Sequence, residues 1–215
     1  MMLRMDDASD GSADGAAELG LLEAWRAGDR AAGDTLMRSY YERVLGFFRL
    51  RVPDAAEDLT QRTFLACTEG RARFEPTSFP GFLFGIARRQ LFRHFEKHRL
   101  DSDLHFRGSA PQSVLTPSGV VALRQEHWLL LRAFETLTEE QQTILGLFYV
   151  QGLKSREIGE ALEIPVSTVT SRVARAREAL RKQVETLPAP ARAREALAAE
   201  LDAWVRSLAS IHASR

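Results

Sequence analysis

The chain has 215 residues, and its 29 Lys and Arg residues balance 29 Asp and Glu residues, so the formal net charge is zero. This balance excludes a global positive field that would draw the chain to nucleic acid, so any DNA binding must rest on local basic faces. The single cysteine, Cys67, excludes an internal disulfide and a cysteine-rich zinc site. We find neither a long apolar stretch nor the residue order of a signal peptide, and therefore expect no membrane partner.

The first eighteen residues are mostly acidic and small. Such a segment cannot bury enough apolar surface to offset the entropy that is lost when it becomes ordered. We therefore predict a disordered acidic tail over residues 1–18.

Helical spacing recurs along the rest of the chain and alternating β-branched runs are nearly absent, so the sequence predicts an all-α fold. A first helix is expected over about 31–52, where a proline ends it, and a second over about 55–68. Residues 70–80 have the glycines and prolines of a loop, and a third helix follows over about 80–99. These helices make up a predicted first domain, residues 19–99.

The second half of the chain begins with a change of composition. Residues 100–119 are crowded with Ser, Pro, Gly and Asp, which predicts a flexible linker. Helical spacing resumes over 120–187, the predicted second domain, and 188–215 form a predicted C-terminal helical extension with an apolar stripe. The expected architecture is two small helical domains joined by a flexible linker, plus a C-terminal helix.

The strongest motif is a helix-turn-helix within residues 154–182. A short helix and a tight connection lead to Ser167, a natural N-cap for the next helix. The outer face of that helix carries hydroxyl and guanidinium groups from Thr168, Thr170, Ser171, Arg172, Arg175 and Arg177. Its inner face is apolar, and this split suits insertion into the major groove, where arginine binds guanine or phosphate. A surface hairpin with a solvated basic face would explain the arginines alone, but the whole motif favours DNA binding.

The first domain carries two weaker signals. Its third helix interleaves aromatic side chains with Arg88, Arg89, Arg93 and Lys97, a mixture that suits phosphates and unstacked bases. A core helix with a solvated outer face explains that pattern equally well. Upstream, the predicted second helix has a crowded polar face. This face could dock a partner helix, although such a face is more often only solvated surface. It is formed by Glu57, Asp58, Gln61 and Arg62.

These blocks, in this order, resemble bacterial sigma factors of the small two-domain extracytoplasmic-function group. AEDLTQRTFLAC resembles region 2.2 of that family, and FPGFLFGIARRQLFRHFEKHR resembles its regions 2.3 and 2.4. LTEEQQTILGLFYVQGLKSREIGEALEIPVSTVTSRVARAREALRK resembles region 4 nearly end to end. The resemblance covers about residues 20–99 and 120–185, and it implies an RNA polymerase specificity subunit that directs transcription initiation.

The resemblance implies two contacts with core RNA polymerase. The helix with Glu57, Asp58, Gln61 and Arg62 matches the part that docks on the clamp coiled coil of the β′ subunit. Residues 138–152 match the helix pair presented to the flap of the β subunit, with Leu145 and Phe148 as apolar contacts.

The resemblance also implies two contacts with promoter DNA. The loop that contains Phe74, Thr77 and Ser78, together with Arg88 and Arg89, matches the part that captures an unstacked base of the minus-10 element. Arg93 and Lys97 would hold nearby phosphates, and Ser167 to Arg177 match the helix that reads the minus-35 element. Many relatives have Asn in place of Arg89 and Lys or Arg in place of Thr170, so no promoter sequence is carried over.

Two other classes of function compete with the sigma factor. An autonomous dimeric helix-turn-helix regulator would use the C-terminal stripe for dimerisation, but it has no need of a clamp-docking helix. Few residues suggest an enzyme. His94 and His98 have the spacing of metal ligands, but no third ligand lies at a recognisable spacing from them. We therefore expect no enzymatic activity, no cofactor, no metal, and a cytoplasmic site of action. Whether an anti-sigma factor is a further partner is left open by the sequence.

Overall fold

The computed structural model describes residues 11–70, 78–104 and 125–188, and this part of the chain is helical with no β-strand. The first helices are α1 (Gly11–Arg26), α2 (Arg30–Arg49), α3 (Ala56–Gly70) and α4 (Phe79–Leu104). The later helices are α5 (Gln125–Glu135), α6 (Glu139–Leu145), α7 (Ser155–Leu162) and α8 (Val166–Thr186). A short 3-10 turn, Pro53–Ala55, precedes α3, and a π-helical turn, Gly146–Val150, follows α6. The predicted all-α class is confirmed.

The first domain is built from α1 to α4 around an aromatic core. Helix α2 begins at Asp29, whose carboxylate accepts a hydrogen bond from the Ala31 amide at 2.9 Å. One face of α2 is buried as its spacing predicts, through Leu36, Tyr40, Val44, Phe47 and Phe48. The Phe47 ring meets the Phe84 ring of α4 edge-on, with centroids 5.8 Å apart, and this contact fixes α4 against α2.

The second domain contains the helix-turn-helix, α7 and α8. Helix α6 begins with a capping box between Thr138 and Gln141. Helix α7 ends at Glu163, whose backbone is left-handed with φ of 56°. The expected N-cap at Ser167 is wrong, because α8 already begins at Val166 after Pro165 and uses no side-chain cap. Proline fits there because the first turn of a helix needs no partner for its backbone nitrogen.

The ends of the predicted segments need correction in two places. The predicted tail, residues 1–18, overlaps α1, in which Leu22 and Trp25 are buried against the first domain. Composition alone does not indicate this helix, because the apolar residues that anchor it follow the acidic segment. Helix α4 runs to Leu104, into the predicted linker. The rest of that linker over 105–124, residues 1–10 and the C-terminal extension from 189 lie outside the described residues.

The two domains pack directly against each other along α4 and α7. Gly85 of α4 lies so close to α7 that a Cβ added to it would be 3.5 Å from the Ala161 backbone. Just after α2, Cδ2 of Leu50 would lie 3.9 Å from a Cβ added to Gly146 of the π-helical turn. The buried apolar side chains of both domains form one continuous cluster. The described helices therefore share a single core.

Candidate nucleic-acid and polymerase interfaces

Helix α8 presents a polar face that an apolar face holds in position. The buried face consists of Val169, Val173, Ala176, Leu180 and Val184. On the other side, Ser167, Thr170, Ser171 and Arg175 are exposed, while Thr168, Arg172 and Arg177 are half-buried. Every residue predicted to read the minus-35 element therefore lies on α8 with at least part of its side chain accessible.

The arginines of α8 differ in what they already contact. Arg175 is exposed, and among the described residues it donates only within its own helix, from Nε to the Ser171 carbonyl at 3.3 Å and from Nη2 to the Ser171 hydroxyl at 3.4 Å. Arg172 instead forms an ion pair with Glu140 at the start of α6. A DNA contact by Arg175 would therefore break no tertiary contact within the described residues, whereas Arg172 would first have to leave a carboxylate.

The predicted minus-10 surface lies along the outer face of α4. Arg89, Arg93 and Lys97 are exposed and Arg88 is half-buried. Nη1 of Arg89 lies 3.0 Å from a carboxylate oxygen of Glu163, at the turn of the helix-turn-helix. The basic face of α4 is therefore tied to the second domain through one of its cations.

The loop that precedes α4 fits its predicted role only in part. Phe74 and Thr77 lie outside the described residues. Ser78 is 9% exposed, and its hydroxyl accepts a hydrogen bond from the Gly81 amide at 3.1 Å. A direct contact between Ser78 and a base does not fit this geometry, because the side chain is buried and serves as the cap of α4.

The polar face of α3 is open to solvent. Glu57, Asp58, Gln61 and Arg62 are all exposed. Asp58 and Arg62 pair across one helical turn at 2.9 Å, with both side chains more than half exposed. Such an exposed pair contributes at most about 1 kcal/mol, so the face is available to a partner at little cost.

The predicted flap contacts divide into one buried and one accessible side chain. Leu145 has an exposed fraction of 0%, so its assignment as a surface contact is wrong for this conformation, since it belongs to the core. Phe148 is partly exposed and packs edge-on against Tyr149.

A cleft between the domains brings the two candidate DNA faces together. Its volume is about 300 Å³, and its walls include Arg88 and Phe92 from α4 and Arg172 from α8. Arg51, at the end of α2, lies at the same cleft and donates to the Thr143 hydroxyl at 2.9 Å. Burial lowers the pKa of the Arg51 guanidinium to about 10, which still leaves it charged at neutral pH. No pattern in the sequence indicates a role for Arg51, because its partner Thr143 lies on a helix far along the chain.

The two histidines of α4 lie side by side, with ring centroids 4.3 Å apart. Burial and the neighbouring His98 lower the pKa of His94, which favours its neutral form. The positive charge of this surface is therefore carried by arginine and lysine. Within the ranges that the structure describes, no three His, Cys, Asp or Glu side chains are placed to hold a metal ion. In the same ranges, no helix has the length and apolar character needed to cross a bilayer.

Comparisons with known proteins match both domains. The family model for sigma-70 region 2 matches residues 36–100, and the model for sigma-70 region 4 matches residues 127–180. The chain is 29% identical over 180 residues to the RNA polymerase sigma-H factor of Pseudomonas aeruginosa, covering 78% of this chain and 93% of that protein. It is 28% identical over 176 residues to the extracytoplasmic-function RNA polymerase sigma factor SigW of Bacillus subtilis, covering 75% of this chain and 94% of that one.

Solved structures show the same fold. The sigma factor RpoE of Bartonella quintana, solved with the anti-sigma factor NepR, matches with a TM-score of 0.54 at 21% identity and covers 78% of this chain and 94% of its own. CnrH, solved with the cytosolic domain of CnrY, matches with a TM-score of 0.57 at 19% identity and covers 79% of this chain and 97% of its own. With both regions matched in order and the predicted resemblance confirmed, the chain belongs to the sigma-70 family of RNA polymerase sigma factors, in its extracytoplasmic-function group.

Proposed function

We propose that this sigma factor binds core RNA polymerase through α3 and directs it to promoters that α4 and α8 read together. The observation that carries the proposal is the combination of an open polar face on α3 with a basic helix-turn-helix in the same chain. An autonomous dimeric regulator would need the second feature only. The match to both sigma regions also speaks against that alternative.

The role of α3 rests on its exposure. Asp58 and Gln61 are exposed, on a helix whose opposite face is buried through Leu59 and Thr63. The buried face fixes the helix, so the polar face meets a partner without reorganisation. We assign this face to the clamp of the polymerase β′ subunit, with Glu57 and Arg62 at its edge.

The role of α4 and α8 rests on cations that point away from the core. Arg93 and Lys97 on α4 suit phosphates, and Arg175 on α8 suits either phosphate or a guanine edge. Arg88 and Arg89 lie nearer the capped start of α4, where the minus-10 base would be captured. Phe148 is the remaining candidate for contact with the β flap.

The mechanism uses binding free energy rather than chemistry of its own. The polymerase catalyses RNA synthesis in the cytoplasm, and this chain selects where synthesis starts. Two modest DNA contacts in one chain give useful affinity, since the second contact forms at a high effective concentration. Arginine and lysine contacts with phosphate make the complex sensitive to salt. An anti-sigma factor is a further proposed partner, by analogy with the solved complex of RpoE with the anti-sigma factor NepR.

A pull-down of core polymerase by the purified protein tests the proposal. The parent is expected to bind, and Asp58→Arg combined with Gln61→Ala is expected to lose binding, because it reverses a charge and removes an amide on the α3 face. Asp34→Arg is the matched control, since it makes the same charge change at an exposed site on α2.

Three outcomes are informative. Loss in the α3 variant alone supports both the function and the surface. Equal binding by all three proteins would move the docking surface away from α3. An absence of binding by the folded parent would refute the proposed function.

A further inference from the structure

Val166 begins α8 and is 48% exposed, although its side chain is apolar and branched. Its Cγ2 methyl group faces α7, since a Cβ built on Gly159 would lie 3.7 Å from it. A valine in a helix strongly prefers one rotamer, so the side chain has little freedom to turn away. Helix α7 therefore braces Val166 from one side, and the rest of its apolar surface is held in place at the start of α8.

A single exposed valine is common on protein surfaces, but Val166 has a neighbour of the same kind. Thr170 follows one helical turn later, which places the two side chains next to each other, and it is also exposed. The Thr170 hydroxyl donates to the Val166 carbonyl at 3.4 Å. Because the hydroxyl is turned back to its own helix, the methyl group is the part of Thr170 that is left to meet a partner.

The charges around this pair suit DNA. From Val166 to Arg177, α8 carries three arginines and no carboxylate, which matches the negative phosphate backbone. The first residues of the second helix in a helix-turn-helix are those that reach the base edges in the major groove. Val166 and Thr170 therefore lie within the surface proposed to read the minus-35 element.

In the major groove, thymine is the base that presents a methyl group. Apolar side chains gain free energy when they bury that group from water. Against cytosine they would instead cover an amino group and leave it without a hydrogen-bond partner. A base edge that meets Val166 or the Thr170 methyl group is therefore favoured when it is thymine.

We propose that Val166 is a specificity-determining residue of α8, and that it selects thymine in the minus-35 element together with the methyl group of Thr170. The proposal rests on the function proposed above. Four residues separate the two side chains, or about 6 Å along the helix axis. At about 3.4 Å per base pair, the two thymines that they contact lie no more than about two base-pair steps apart.

Removal of single thymine methyl groups from promoter DNA tests the proposal. The parent holoenzyme first selects minus-35 elements from a random library. Each thymine of a selected element is then replaced by deoxyuridine, which lacks only the methyl group and keeps every hydrogen-bonding group. We expect the dissociation constant to rise about fourfold at one or two thymines, the effect of exposing one methyl-sized group. Deoxyuridine between the two promoter elements is the DNA control and should change nothing.

Two variants remove methyl groups from the protein instead. Val166→Ala shortens an exposed side chain, and Thr170→Ser keeps the hydroxyl that bonds to the helix. Each variant should bind the thymine and deoxyuridine fragments equally at its own thymine and keep the fourfold loss at the other, as a double-mutant cycle measures. Thr186→Ser is the matched control, since it makes the same change at an exposed position at the far end of α8. It should keep the full pattern of the parent.

Coupling of each substitution to one thymine supports the proposal. Selected elements without thymine would overturn it, as would deoxyuridine fragments that all bind as tightly as the parent fragment. Full sensitivity to deoxyuridine in both Val166→Ala and Thr170→Ser would also overturn it, since another group would then contact the thymine methyl. Failure of the parent holoenzyme to select any element would refute the proposed function and this inference with it, whereas the other adverse outcomes refute the inference alone.

Discussion

Arg175 on α8 offers a direct test of how the helix-turn-helix reads DNA. The side chain is exposed, and within the part of the chain that the structure describes its hydrogen bonds go only to Ser171 of the same helix, at 3.3 and 3.4 Å. Removing it by Arg175→Ala should therefore change the free energy of unfolding by no more than about 0.5 kcal/mol. A bidentate contact with guanine is worth about 1–3 kcal/mol of discrimination. We expect promoter binding by the holoenzyme to weaken about 5- to 150-fold.

The assay compares two arginines on one helix. Arg181 is also exposed, but it lies further along α8 and pairs with Glu178 and Glu185. Dissociation constants of the holoenzymes are measured on a promoter fragment that the parent holoenzyme has selected from a random library. They are measured at several salt concentrations and again on fragments with single changes in the minus-35 element. Arg181→Ala should bind within about twofold of the parent, because its neighbours already neutralise it.

Two results would refute this reasoning. An equal loss for Arg181→Ala and Arg175→Ala would mean that the charge of the whole helix matters and not one position. A uniform loss on all fragments for Arg175→Ala, with the salt slope reduced by about one, would identify a phosphate contact and remove Arg175 from base recognition.

The remaining predictions concern stability and reactivity. Leu180→Ala should lower the free energy of unfolding by about 2–5 kcal/mol, since this side chain is fully buried, and chemical denaturation measures the loss. Thr138→Ala removes a capping box and should cost about 1 kcal/mol in the same assay. Cys67 should resist alkylation at pH 8 in the folded protein. Burial raises the pKa of its thiol to about 12, which leaves about a thousandfold less thiolate than an ordinary thiol has. Mass spectrometry after timed labelling measures the extent of alkylation. Glu163→Gly should not destabilise the chain. Glycine relieves the left-handed backbone at this position, which is worth about 1–2 kcal/mol, and this gain offsets the loss of the exposed ion pair with Arg89. A loss of more than about 1 kcal/mol in thermal unfolding would contradict this.

The helices could be predicted from the sequence wherever a local pattern determines them. The buried face of α2 and the inner face of α8 follow directly from apolar spacing, since one side of each helix must face a core. The error at Ser167 has the same local origin. A serine before a helix is a good cap, but Pro165 already starts α8 and leaves Ser167 within its first turn.

The sequence predicts which segments form the candidate site, but it does not predict how exposed each side chain is. Leu145 and Ser78 lie within the segments that the family resemblance indicates, yet both are buried. Burial depends on which distant helix packs on a residue, and no spacing rule in one segment contains that information. The ion pair between Arg89 and Glu163 could not be predicted for the same reason, since 74 positions separate the two residues.

The surfaces that the closed chain leaves open determine which contact with polymerase can form first. Asp58 and Gln61 on α3 are exposed, so the clamp can bind them while the domains remain together. The segment proposed to face the β flap is held by the first domain, because Arg51 donates to the Thr143 hydroxyl. If the flap meets this face of α6 as proposed, its binding breaks a contact that clamp binding leaves intact. Once α3 is docked, the flap would be present at a high effective concentration and would compete with Arg51 within one complex. The proposed contacts therefore predict that the first domain releases the flap-facing segment on the polymerase rather than in free solution.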